Sequence, residues 1–182
     1  MKVLNYCNIK YHAVEDGIGL RTVLFVSGCR HHCKGCFQPE TWNFDYGQPF
    51  TDKTENMIID SLNDPYVSGL TLLGGEPFEP ENQATLVNFV KKIKTLYPDK
   101  TIWAYSGFTF EELIDENNSA CHTENTIAML KKIDVLIDGR FVEEKRNLML
   151  PYRGSENQRI INVPASLEAN RAILSKYHNR NR

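Results

Sequence analysis

The sequence predicts an α/β fold built on a mainly parallel sheet. Two observations predict it. Short β-branched and aromatic runs alternate with amphipathic segments of 3.6-residue period, the pattern of successive βαβ units with right-handed crossovers. Each apolar run also stops at a glycine, a Ser-Gly pair or a proline, the punctuation expected where a strand gives way to a loop. In such sheets ligands gather beyond the carboxyl ends of the strands. The glycine-bearing ends are therefore the first place to look for chemistry.

Taken in order, residues 21–27 (RTVLFVS) form a short buried strand closed by Gly28. Residues 53–62 read as a helix that starts from a cap at Thr51 or Asp52. A second strand covers 69–73 and ends at Gly74-Gly75. Over 79–97 the apolar set Leu86, Phe89, Val90, Ile93, Leu96 and Tyr97 marks one buried helical face, which Pro98 brings to a stop. Strands follow at 101–105, before Ser106-Gly107, and at 134–138, before Gly139, with a helix at 126–133 between them. A fifth strand at 159–163 ends at Pro164, and a last helix is expected over 167–177. The whole chain, 1–182, is expected to form one domain, with 165–182 as a C-terminal helix and basic tail.

The charge pattern narrows the partners. Twenty-one basic residues against 23 acidic ones leave a formal charge of −2, without the excess of either sign that nucleic-acid or membrane-surface binding requires. No apolar run approaches the ~20 residues of a membrane-spanning helix, and the first residues lack the apolar core of a signal peptide. A cytoplasmic protein is expected.

Three of the five cysteines crowd into one stretch, Cys29-x-x-x-Cys33-x-x-Cys36, directly after the first strand; Cys7 and Cys121 stand apart. In a reducing compartment thiols this close are ligands or catalysts rather than crosslinks. Three thiolates on one loop suit an iron–sulfur cube, and unless Cys7 or Cys121 joins them one iron keeps an open position for a small molecule. Two other readings share the spacing. One is a structural Cys₃His zinc completed by His12, His31 or His32. The other is a Cys33-x-x-Cys36 redox pair.

The C-x₃-C-x₂-C spacing after a first strand resembles the radical S-adenosylmethionine (SAM) superfamily, and Gly74-Gly75-Glu76-Pro77 resembles its SAM-binding motif. Asp16-Gly-Ile-Gly-Leu-Arg21 resembles the entry motif of glycyl-radical activating enzymes. Leu24-Phe-Val-Ser-Gly-Cys29, Glu40-Thr-Trp42, Tyr105-Ser-Gly-Phe108, Asp134-Val-Leu-Ile-Asp-Gly-Arg-Phe141 and Arg153-Gly-Ser-Glu-Asn-Gln158 look like the activating family that serves anaerobic ribonucleoside-triphosphate reductase.

The resemblance implies a partial (βα) barrel of radical SAM type with one open side. It implies a [4Fe–4S] cluster on Cys29, Cys33 and Cys36, with SAM as the second cofactor. It implies the reductase as protein substrate, and flavodoxin or ferredoxin as electron donor. Gly74, Gly75, Glu76 and Pro77 would meet the methionine end of SAM, two glycines allowing close backbone approach. Ser106, Asp138 and Phe37 are further SAM-binding candidates. Arg140 stands where a related activase has lysine, and the two are not interchangeable in geometry. Arg21 and Arg153 are candidates to pair with carboxylates. Activation of another glycyl-radical enzyme, of the pyruvate formate-lyase type, or a small-molecule reaction like that of carboxy-deazaguanine synthase, are the alternatives within the superfamily.

Overall fold

The computed structural model describes residues 4–179. Its sheet follows the order β3-β1-β2-β4-β5-β6-β7. The strands are β1 (Asn5–Ala13), β2 (Leu20–Val26), β3 (Gln48–Pro49), β4 (Val67–Gly74), β5 (Thr101–Tyr105), β6 (Val135–Asp138) and β7 (Arg159–Asn162). The expected parallel arrangement holds only in the centre, across β2, β4, β5 and β6. Both flanks are antiparallel: β1 pairs with β2 and β3, and β7 pairs with β6. The reason for the second is visible in the connection. Between β6 and β7 residues 139–158 hold a single 3-10 turn, Glu143–Lys145, and fold back on themselves through a bridge between Arg146 and Ser155, so the chain returns at the edge it left; a parallel partner would need a crossover to the far edge, usually a helix.

The helices lie on one face of the sheet. They are α1 (Asp52–Leu62), α2 (Pro80–Leu96), α3 (Phe110–Ile114), α4 (Thr126–Leu130) and α5 (Val163–Ala169). Thr51 caps α1 through its side chain, which accepts from the Thr54 amide at 3.4 Å, as its sequence suggests. Ile58 and Leu62 of α1, Leu86 and Ile93 of α2 and Leu130 of α4 are fully buried against Leu24, Leu72, Ile102 and Leu136 of the sheet. Such a side chain contributes about 1.5–3 kcal/mol on leaving water.

The opposite face carries a smaller cluster, Trp103, Val135, Ile137 and Ile160, against which Tyr177 packs with its ring 5.5 Å from that of Trp103. The terminal segment thus runs over the sheet. The expected helix at 167–177 is not formed. The helix is α5, which starts earlier because Pro164 sits in its first turn, where proline's missing N–H costs nothing, rather than terminating a strand. It ends at Asn170 in the left-handed conformation, φ 49°. The segment beyond it makes a bridge between Leu174 and Ile161, and Ser175 donates its amide to the Ile160 carbonyl, so it covers the open edge of β7. Residues 180–182 of the basic tail lie outside the described residues.

Beneath the sheet's carboxyl edge, at the start of β2, Arg21 is fully buried. Its guanidinium donates to Thr71 Oγ1 at 2.6 Å, to the carbonyls of Ile18, Leu70 and Thr101, and to Thr101 Oγ1 at 3.0 Å. It therefore ties β2 to β4 and β5. Among the described residues it meets no carboxylate within ion-pair distance.

Candidate metal centre

Strands β2, β4, β5 and β6 all release their chains at the same edge, and the loops that follow enclose a cleft of about 440 Å³. Cys29, Cys33 and Cys36 line it together with Gly74, Gly75 and Ser106. The spacing read from sequence thus becomes a shared wall. Cys7 and Cys121 take no part. Cys121 lies in the core on the helical side and its Sγ donates to the Glu112 carbonyl at 3.3 Å, while Cys7 packs near Val23 and Phe25.

Local contacts hold the cysteine loop. Gly28 and Cys29 donate their amides to the carbonyls of Thr41 and Trp42 at 2.7 and 3.3 Å. The Arg30 amide donates to Glu79 Oε1 at 2.6 Å, and its guanidinium bonds to Glu79 and Glu81 while stacking 4.4 Å from the Phe44 ring. Cys33 and Cys36 flank a turn at residues 34–35, closed by the Cys36 amide on the Cys33 carbonyl at 3.1 Å. That turn does not open a helix, so the helix dipole that activates a redox Cys-x-x-Cys pair is missing.

Burial pushes the Cys29 thiol up to about 12, with the nearby Glu76 carboxylate adding to the effect, and burial also raises Cys33. Thiols of this kind ionise against a bound cation, so loading a metal releases their protons. Among the described residues no three His, Cys, Asp or Glu side chains converge as they would around one ion. A tetrahedral zinc requires that convergence. An iron–sulfur cube does not, because each thiolate binds a separate iron. The histidines point the same way. His12 bonds to Asp64 at 3.1 Å, and His32 stacks on Trp42 with centroids 4.6 Å apart. His31 is no solvated loop residue: its ring is buried, with Nε2 2.8 Å from Glu76 Oε2. The three-cysteine donor set fits a cube.

The two glycines at the end of β4 are needed for a reason the sequence does not reveal. A Cβ on Gly74, whose φ is +107°, would sit 2.6 Å from the Val26 carbonyl oxygen, and one on Gly75 would sit 2.6 Å from that of Gly28. They let the β4 loop press against the root of the cysteine loop while both stay on the cleft wall.

Glu76, Pro77 and Asp138 are not brought to that wall; all three are buried behind it. The Glu76 carbonyl accepts from Asn82 Nδ2 at 2.9 Å and from the Glu79 amide at 3.2 Å. Alternation along β6 puts Val135 and Ile137 on the Trp103 side, so Asp138 faces the helices with Leu136. There it accepts from the Phe110 amide at 2.7 Å and from Arg159 at 2.6 and 3.0 Å. Asp138→Asn is expected to lower unfolding free energy by about 1–3 kcal/mol, leaving a buried donor short of its acceptor, with iron content unchanged. Thermal unfolding and iron analysis on the same preparation check this.

A family model described as a 4Fe-4S single cluster domain matches residues 15–161. An anaerobic ribonucleoside-triphosphate reductase-activating protein of Haemophilus influenzae is 43% identical over 157 residues, covering 85% of this chain and 96% of that one. The chain belongs to the family of anaerobic ribonucleoside-triphosphate reductase-activating proteins. Proteins of the same description from Enterobacteria phage T4 and Escherichia coli (strain K12) are 38% and 39% identical, over 86% and 82% of this chain and 93% and 94% of theirs.

Every strand end around the cleft falls inside the span matched by the 4Fe-4S single cluster domain. Phe37 stands at the cleft mouth, exposed, with its ring 5.1 Å from that of Phe141. Arg153 is also on the wall but spends its guanidinium on the carbonyls of Gln158 and His178, fastening the terminal segment. Arg140 is exposed and does not line the cleft. Tyr105, quoted above only as part of a motif, and Tyr152, which the sequence reading did not name, contribute aromatic surface. For Tyr105 the signal was available: in β5 it alternates with Ala104 and follows Trp103 onto the face away from the helices.

Proposed function

We propose that this chain activates an anaerobic ribonucleoside-triphosphate reductase by generating a glycyl radical on it, with a [4Fe–4S] cluster and SAM as cofactors. The carrying observation is that the three clustered cysteines and the Gly74-Gly75 strand end share one cleft at the sheet's carboxyl edge. When bound, a reduced cluster supplies the one electron that cleaves SAM to methionine and a 5′-deoxyadenosyl radical, which takes a hydrogen atom from a reductase glycine and leaves as 5′-deoxyadenosine.

The chain's own residues have separate tasks. Cys29, Cys33 and Cys36 hold three corners of the cluster. The placement of Cys7 and Cys121 away from the cleft supports a vacant fourth corner. Gly74 and Gly75 offer a backbone wall without side chains to the methionine end of SAM, and Ser106 lies on the same wall. Glu76 and Asp138 act from behind, holding loops rather than touching the ligand. Helices on one face only, with the other face open at the cleft, support a partial barrel that admits a loop of a partner protein. The electron comes from a flavodoxin or ferredoxin. Among the described residues no helix is long and apolar enough to cross a membrane. Clustered thiols kept reduced support a cytoplasmic reaction.

The test is electron paramagnetic resonance on an anaerobic mixture of the iron-loaded chain, a reductant, SAM and the reductase. A glycyl doublet appearing together with 5′-deoxyadenosine is the expected result. Formation of 5′-deoxyadenosine without the doublet redirects the activity to a small molecule, and formation of neither removes the proposal.

A further inference from the structure

One buried carboxylate joins the three loops that wall the cleft. Glu76 is fully buried, yet its side chain meets four hydrogen-bond partners. Oε1 accepts from the Phe78 amide at 2.8 Å and from Ser106 Oγ at 3.0 Å. Oε2 accepts from the Gly107 amide at 2.7 Å and shares a hydrogen bond with His31 Nε2 at 2.8 Å. Those partners come from the β4 loop itself, from the β5 loop, and from the cysteine loop between Cys29 and Cys33. The contact between His31 Nε2 and Glu76 Oε2 is the one side-chain bond that brings the cysteine loop onto this carboxylate.

The neighbours are shaped around the His31 ring. It lies edge-on to Phe108, with centroids 4.3 Å apart. A Cβ on Gly107 would come within 2.3 Å of its Cδ2, so a side chain at 107 and the ring at 31 exclude each other. The ring is therefore set in a slot whose floor is Glu76. Arg30, next to it, clips the same loop to the buried Glu79 at the N-terminus of α2, a contact that ties the cysteine loop to the β4–α2 connection alone. Only the contact on Glu76 also reaches the Ser106-Gly107 strand end, so it is the one that relates all three loops.

We infer that His31, acting through Glu76, is a positioning residue that locks the cysteine loop in register with the Gly74-Gly75 and Ser106-Gly107 strand ends. Cluster and SAM are thereby held at one fixed separation. The inference rests on the proposed use of both cofactors and adds a division of labour: the cysteines hold iron, and His31 sets where that iron sits relative to the SAM wall. Removing the imidazole leaves Glu76 Oε2 with the Gly107 amide alone and frees the loop's middle, without touching any thiol.

The experiment uses the full chain, reconstituted anaerobically with iron and sulfide, as wild type, His31→Ala, His31→Gln and His31→Asn. Iron content, equilibrium binding of SAM, and the change in the spectrum of the reduced cluster when SAM is added are measured on each. Wild type must bind SAM and show the change; if it does not, the cofactor reading fails rather than this one. His31→Ala is expected to keep its iron, to bind SAM about 10- to 100-fold more weakly, and to lose the spectral change. His31→Gln, whose amide nitrogen reaches the place of Nε2, is expected to recover both, and His31→Asn, which stops at the place of Nδ1, is not. Wild-type affinity and an unaltered spectral change in His31→Ala overturn the inference. Where His31→Ala holds no iron, the other pair decides: recovery by Gln and not by Asn sustains the inference, and equal behaviour of the two overturns it.

Discussion

Cys33→Ala is expected to yield a colourless, iron-poor protein that, under the proposed function, no longer cleaves SAM, and Cys29→Ala and Cys36→Ala are expected to do the same. A cube held by three side chains has no spare protein ligand: Cys7 and Cys121 lie off the cleft, and the nearby His31 spends Nε2 on Glu76. Loss of one thiolate therefore leaves two anchors for about four irons, and the site cannot substitute another. The comparison that gives this weight is Cys121→Ala. That thiol is fully buried in the core and its Sγ meets the Glu112 carbonyl, so its removal opens a small void costing about 1 kcal/mol. Cys121→Ala is thus expected to lower thermal stability slightly while iron content stays at the wild-type level. The three ligand variants are expected to lose iron while folding in the absence of metal, because the core they leave intact is elsewhere. Iron and sulfide per chain, with a thermal scan of each variant, measure both effects. A Cys33→Ala protein that retains a full cluster would remove the ligand assignment.

How much of this was legible beforehand follows from where the information lay. Strands β2, β4, β5 and β6 are buried on both faces, so they read as unbroken β-branched runs and their ends were found within a residue or two. Strand β1 was not seen. Its residues 8–12 are mostly exposed, with two register shifts against β2, so a polar, irregular stretch gave no clear alternation. The short helix α3 was also missed, though Thr109 and Glu112 form a capping box that the sequence shows plainly. For the site, cysteine spacing and strand-end glycines were enough to place the cleft. The position of Glu76 was not, because what surrounds it comes from residues 31, 78, 106 and 107, which only the folded sheet brings together. A motif states which residue stands at a strand end and not whether its side chain faces ligand or scaffold. Asp138 shows the difference: its register in β6 turns it toward Phe110 and Arg159.

Arg21→Met is expected to be the most destabilising single change outside the apolar core. Burial drags the guanidinium down to about 10, so its charge opposes folding below that pH and the benefit must come from its hydrogen bonds. All five donors are used, and on removal the Leu70 carbonyl and Thr71 Oγ1 lose a buried partner and the half-buried Thr101 carbonyl loses one too. Orphaned groups cost about 1–3 kcal/mol each, and relaxation recovers part, which sets the loss at about 3–5 kcal/mol. In a chain of this size that lowers the melting temperature by about 10 °C. Two features separate this from a charge effect. The loss should be the same at low and high salt, since screening does not reach a buried group that has no ionic partner. Arg21→Lys should recover only part, because an ammonium offers three donors where the fork offers five. Arg21 also opens β2 while Cys29 follows its far end, so Arg21→Met kept cold should still take up a full complement of iron. A melting temperature within a degree of wild type, or a loss that fades in salt, would show that the buried fork does not knit β2, β4 and β5 together.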